Sequence, residues 1–284
     1  MKYREQALAV QAEGCEMLSI VSLPAKDESL RPCAVLIVTG GAQYRTGSHR
    51  QFTRMARELA TAGYPAMRFD MPGMGDSTGE PIPYEKSAAH IAASVDILVR
   101  TTNVEKICLW GLCDGASASL LYMHATHDKR IAGIVLLNPW IRSETSLAKV
   151  HVKYYYPKRI LRIDFWRKLL SGNIGRKALQ ELIMSFYLMA KNTTFAQDSA
   201  ENKMAQGWAS LEKPLLLLLS EKDFTAQEFM ENMKNNAIWI AAVKKNPATQ
   251  YIIRGADHTC SSSDSHKEMI SKTLEWLNHW NENS

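Results

Sequence analysis

Cys113 stands between two glycines, in Gly111-Leu112-Cys113-Asp114-Gly115, where the apolar run Ile107-Cys108-Leu109-Trp110 meets the small-residue run Ala116-Ser117-Ala118-Ser119-Leu120. A strand, a sharp turn and a helix in that order lift the central side chain clear of the backbone, over the first amides of the helix. A thiol in that position is placed for nucleophilic attack, and the glycines are steric, since a Cβ at either would strike neighbouring backbone. The pentapeptide by itself equally fits a small buried cysteine in a tight turn. Its chemical reading therefore depends on what else reaches the same place.

A cysteine nucleophile needs a base, an acid that orients the base, and donors for the developing oxyanion. In an open parallel sheet the loops at the carboxyl ends of the strands supply them. His258 follows the last apolar run, Thr249 to Ile253, and Asp223 follows Leu215 to Ser220. Glu221 is the near alternative acid, and Asp70, closing an earlier strand, reads as a structural cap for its own loop. The remaining histidines fall on helices or in the long insert, except His49. With Tyr44, Arg45 and Arg50 it follows the third strand and is expected to contact substrate. The oxyanion donors expected are the N–H of Asp114 and one N–H from Gly41, Ala42 or Gln43.

Protonation decides what the cysteine does. A free thiol, with pKa about 8.5, is only a few per cent ionised at neutral pH. The helix N-terminus and a protonated His258 are expected to make the thiolate the major form, with Asp114 opposing if its carboxylate points at the sulfur. Cys260, two residues past His258, reads as a small buried hydrophobe or as a partner for Cys113 in a reversible disulfide.

The elements that would position these residues follow from periodicity. An edge hairpin is expected over Ala7 to Val10 and Met17 to Ser22. Ala34 to Val38, Tyr64 to Phe69, 106–112, Ile131 to Leu137 and Pro214 to Ser220 are apolar on both faces and alternate with helices at Gln51 to Ala62, Ser87 to Arg100 and after the cysteine. That rhythm predicts an α/β fold, a mostly parallel central sheet with helices on both faces. Residues 1–140 and 214–284 form this core. Residues 141–213, basic and aromatic, are expected to be a mostly helical cap. Capping boxes are read at Thr225 with Glu228 and at Ser265 with Glu268.

Order and motifs together make the chain resemble an α/β-hydrolase over nearly its full length, in the order nucleophile, acid, histidine. More narrowly it resembles the bacterial hydrolases associated with the exosortase A system, type 1. The stretches that carry this are Gly40 to Phe52, Phe69 to Ser77, Gly111 to Ser117 and Asp164 to Gly172. The resemblance implies a gene set for exopolysaccharide production and sorting of tagged exported proteins. A nucleophilic cysteine is also similar to that of dienelactone hydrolases, although the long insert departs from their compact, capless form.

Composition narrows the partners. With 46% hydrophobic and 22% charged residues, the chain has core enough to fold without staples. Five cysteines, an odd number without CxxC spacing, argue against a disulfide framework and a zinc site. The net charge of +5 is uneven, because 141–213 hold thirteen Lys or Arg against six Asp or Glu. Within it, Lys153-Tyr154-Tyr155-Tyr156-Pro157-Lys158-Arg159 suits an anionic substrate, while its mixed apolar and basic positions argue against stable membrane insertion. The expectation is a cytoplasmic monomer or homodimer without cofactor, metal or nucleic acid. It hydrolyses an ester or thioester of a small-molecule or carrier-bound acyl group through an acyl-enzyme. An acyltransferase using the same intermediate and a ligand-binding protein on the same fold are the alternatives.

Overall fold

The computed structural model of the chain describes residues 2–26, 30–40, 43–141 and 199–282, with side chains to 279. Gly41 and Ala42, Trp280's side chain, and most of the expected cap, 142–198 with its Lys153 to Arg159 run, lie outside the described residues.

An eight-stranded sheet has the order β1-β2-β4-β3-β5-β6-β7-β8. Its first two strands, β1 (Tyr3–Ala12) and β2 (Cys15–Pro24), form the expected antiparallel hairpin, and β2 joins β4 (Ala66–Phe69) antiparallel. All later pairs are parallel: β4 with β3 (Cys33–Val38), then β5 (Lys106–Leu112), β6 (Ile131–Leu137), β7 (Leu215–Ser220) and β8 (Thr249–Ile253). The strands that read as continuous apolar runs are buried on both faces. Every residue of β3, β6 and β7 is buried. Each fully buried aliphatic side chain contributes about 1.5–3 kcal/mol, so the central strands anchor the fold and leave their carboxyl ends free to carry chemistry.

Two cores flank the sheet. One lies under α1 (Gln51–Thr61) and α7 (Ser263–Glu282), where Phe52 meets Trp110 edge-on at 5.9 Å. The other lies under α2 (Ala88–Thr102), α3 (Asp114–Thr126), α4 (Ala200–Ser210), α5 (Phe224–Asn235) and α6 (Ala237–Lys245). Helix α4, at the end of the stretch expected as a cap, packs against α3 so closely that a Cβ on Gly207 would strike the Leu120 carbonyl.

Three local expectations are corrected. Helix α6, unread in the sequence, starts at Asn236, whose side chain accepts from the Ile238 N–H. Asp223, not Thr225, caps α5, accepting from the amides of Thr225 and Ala226. Ser262, not Ser265, accepts at the start of α7, from Ser265 N–H, while Glu268 instead accepts from the Tyr251 hydroxyl at 2.5 Å.

Candidate active site

Cys113 occupies the turn between β5 and α3 with φ 56° and ψ −120°, a conformation that costs a non-glycine residue energy and persists only where the surroundings enforce it. They do so from both sides. Cys113 donates its N–H to the Leu137 carbonyl at 3.0 Å, and its own carbonyl accepts from Ala116 and Ser117. A Cβ on Gly111 would collide with the Gly115–Ala116 backbone, and one on Gly115 with the Val38 carbonyl. Both flanking residues must therefore be glycine for the helix to sit this close to the strands.

The loops after β7 and β8 are laced together. Glu221 N–H donates to the Ile253 carbonyl at 3.1 Å and Lys222 N–H to the Ala256 carbonyl at 2.9 Å. On this frame His258 Nδ1 lies 2.9 Å from Asp223 Oδ2. The alternative acid, Glu221, turns away and accepts from Gly255 N–H at 2.7 Å. Asp223 is buried, and its hydrogen bond raises the His258 imidazole above its ordinary range against the opposing effect of burial, helped by the charges of Asp114 and Asp257.

The cysteine's ionisation departs from the sequence expectation of a resting thiolate. Burial, foremost, and the carboxylates of Asp114 and Asp223 push the thiol up to about 12, although the Asp114 amide N–H at the sulfur pulls it down. The thiol points at Asp114 Oδ1, 3.7 Å away. The helix N-terminus is thus outweighed by burial and by the first side chain of the helix itself.

The loop after β3 carries two further departures. Gln43 spends its N–H on the Gly40 carbonyl at 2.9 Å, so it does not offer that donor to an oxyanion. Arg45, expected at the substrate, is held by the buried Asp70 and by Asp76, with its backbone N–H on Asp70 Oδ1 at 2.5 Å. Asp70 also accepts from Asp76 N–H at 3.1 Å, the structural role expected of it. Tyr44, His49 and Arg50 are exposed, and the Asp257 carboxyl is held down by the Ser261 hydrogen bonds foremost, with His49 adding least. Cys260 is buried, with its sulfur 3.7 Å from the Ser220 hydroxyl, and burial pushes its thiol up to about 11.

Sequence reasoning missed Tyr84. Its short helical turn, Tyr84–Lys86, packs on α3, and burial together with the Glu85 and Asp114 carboxylates raises its phenol. With Thr39, Met71, Met74 and Ile82 it lines a cavity of about 20 Å³, room for one water-sized group. No local motif marks it, since a 3-10 turn in a proline-containing loop carries little periodicity.

This elbow, sheet order and acid–histidine pair are those of an α/β hydrolase. A family model described as the alpha/beta hydrolase fold matches residues 34–241, and the chain belongs to that family. Among curated proteins, none matches the chain by sequence. Solved structures share its fold at low identity. The Pyrococcus furiosus esterase Pf2001 superposes with TM-score 0.65 at 16% identity, covering 98% of this chain and 93% of its own. Est1E from Butyrivibrio proteoclasticus, solved with ferulic acid bound, gives 0.62 at 17% identity, with coverage of 96% and 99%. A dienelactone hydrolase from Anabaena variabilis gives 0.61 at 13%, with 99% of each chain covered. Among the described residues no helix is long and apolar enough to cross a membrane.

Proposed function

We propose that the protein is a cysteine-dependent hydrolase of esters or thioesters. The observation that carries this is the 2.9 Å contact of His258 with the buried Asp223 beside a cysteine held at φ 56° on a strand-to-helix turn. Because Nδ1 is engaged by the acid, the other ring nitrogen is the one left to exchange protons with Cys113.

The resting thiol is protonated, so attack and proton removal are coupled. As Cys113 Sγ bonds to the acyl carbon, its proton passes to His258, and the imidazolium is stabilised by Asp223. The oxyanion is held by the Asp114 N–H, which already faces the sulfur, and by an N–H from Gly41 or Ala42. Collapse expels the leaving group with the proton from His258 and leaves a thioester. Water then attacks that thioester, giving its proton to His258. The carboxylic acid departs and the proton returns to sulfur.

The fold likeness to esterases favours acyl substrates, and the basic 141–213 segment, read as a cap, favours an anionic one. Intact-protein mass spectrometry after brief exposure to activated esters and acyl thioesters tests the reading. An adduct on Cys113 that forms and decays in the wild type, forms far more slowly in His258→Ala and is absent from Cys113→Ala is expected. A Cys113→Ala protein with wild-type turnover refutes it.

A further inference from the structure

Asn138 is wholly buried at the carboxyl end of β6, in a left-handed conformation with φ 46°. Its side-chain amide makes three hydrogen bonds. Nδ2 donates to the Ser220 hydroxyl at 2.9 Å and to the His258 carbonyl at 2.9 Å, and Oδ1 accepts from the Ser220 N–H at 2.8 Å. The amide's orientation follows from its partners, because a backbone N–H can only donate and a carbonyl can only accept. The residue before it, Leu137, accepts the Cys113 N–H, and two residues later Trp140 N–H reaches the Cys113 carbonyl at 3.4 Å. One strand end therefore touches the nucleophile's turn, the end of the strand that leads to Asp223, and the backbone of His258.

We propose that Asn138 is a positioning residue that sets the separation of Cys113 and His258 by tying the base loop and the acid loop to the strand end that anchors the nucleophile. The inference rests on the cysteine–histidine reading above. A buried amide with every polar atom engaged across three segments is stiff, and catalytic geometry is sensitive to displacements near 1 Å. Asparagine suits the place doubly, since it tolerates the left-handed backbone and carries both a donor and an acceptor.

Asn138→Asp is the discriminating variant. It keeps the acceptor for Ser220 N–H, and the Ser220 hydroxyl can turn to donate, but the His258 carbonyl loses its donor and faces a carboxylate. The full chain is assayed with p-nitrophenyl acetate for kcat and KM. Cys113 alkylation by iodoacetamide is followed across pH by intact mass, in the wild type, Asn138→Asp, Asn138→Ala and His258→Ala. The expected result is a fall in kcat of tenfold or more per folded molecule with KM within about twofold, and an alkylation profile displaced toward that of His258→Ala. Folded Asn138 variants with wild-type kcat and wild-type alkylation profile overturn the proposal. Should they fail to fold, Ser220→Ala decides. A threefold or larger loss of kcat supports the tie, and an unchanged kcat overturns it. Failure of the underlying reading has a separate signature, an alkylation profile in His258→Ala identical to the wild type.

Discussion

The Cys113 thiol faces the carboxylate of the next residue in the chain, Asp114, with Sγ 3.7 Å from Oδ1, so the thiol looks onto a charge that opposes its ionisation. Asp114→Asn removes that charge and leaves the backbone N–H in place. Iodoacetamide should then alkylate Cys113 about three- to tenfold faster at pH 7.5, because thiolate fraction follows the lowered pKa. An equal or slower rate would show that burial and the Asp223 carboxylate keep the proton on sulfur without help from Asp114.

Asp223 serves two structures at once, accepting from the amides of Thr225 and Ala226 and from His258. Asp223→Asn retains an oxygen that can cap the helix but loses the charge behind the imidazole. Its thermal midpoint should stay near the wild type while kcat/KM falls by about 10²-fold or more. Asp223→Ala should lose about 1 kcal/mol of stability in addition, as an N-cap does. Calorimetry beside steady-state kinetics separates the two effects.

The raised His258 gives stability and activity opposite pH trends. A folded-state pKa above the unfolded value, about 6.5, means that the stabilisation is complete below the unfolded pKa and is lost as pH rises through the folded one. Urea denaturation should therefore show His258→Gln more destabilised relative to the wild type at pH 5.5 than at pH 9. With His258 as the proposed base, turnover needs the neutral imidazole, so kcat/KM should rise with pH through the folded value. In Asp223→Asn that rise should begin at lower pH, with Asp114 and Asp257 as the charges still facing the ring.

Arg45 and Asp70 make a stability prediction. Asp70 is fully buried and receives the Arg45 guanidinium, the Arg45 N–H and the Asp76 N–H. Asp70→Ala leaves the largely buried arginine with only the exposed Asp76 as its partner and should cost about 3–5 kcal/mol, read from denaturant midpoints. A loss below 1 kcal/mol would mean that the exposed Asp76 alone suffices for Arg45.

The sequence made the sheet legible because buried parallel strands read as unbroken apolar runs, and Ala34 to Val38 and Ile131 to Leu137 fall on strands at nearly those bounds. The contact of Asp223 with His258 follows from their places after β7 and β8. What escaped was whatever depends on side-chain direction. Arg45 reads as a substrate contact because nothing local announces Asp70 at the end of the neighbouring strand. The thiolate was expected because a helix N-terminus is visible in sequence, whereas the direction of the Asp114 carboxylate is not. Helix α6 was missed because of its nine residues only Trp239 and Ala242 are buried, too sparse a stripe to stand out. Asn138 carries no motif at all. Its importance arises from three segments up to 120 residues apart meeting at one amide.

The capping role of Asp223 has a dynamic consequence. Each opening of the first turn of α5 frees the carboxylate that holds the imidazole, so the base is oriented only while that turn is closed. The amide protons of Thr225 and Ala226 are thus built-in reporters. Their exchange with solvent deuterium counts the moments at which His258 has lost its bearing, with no substrate present.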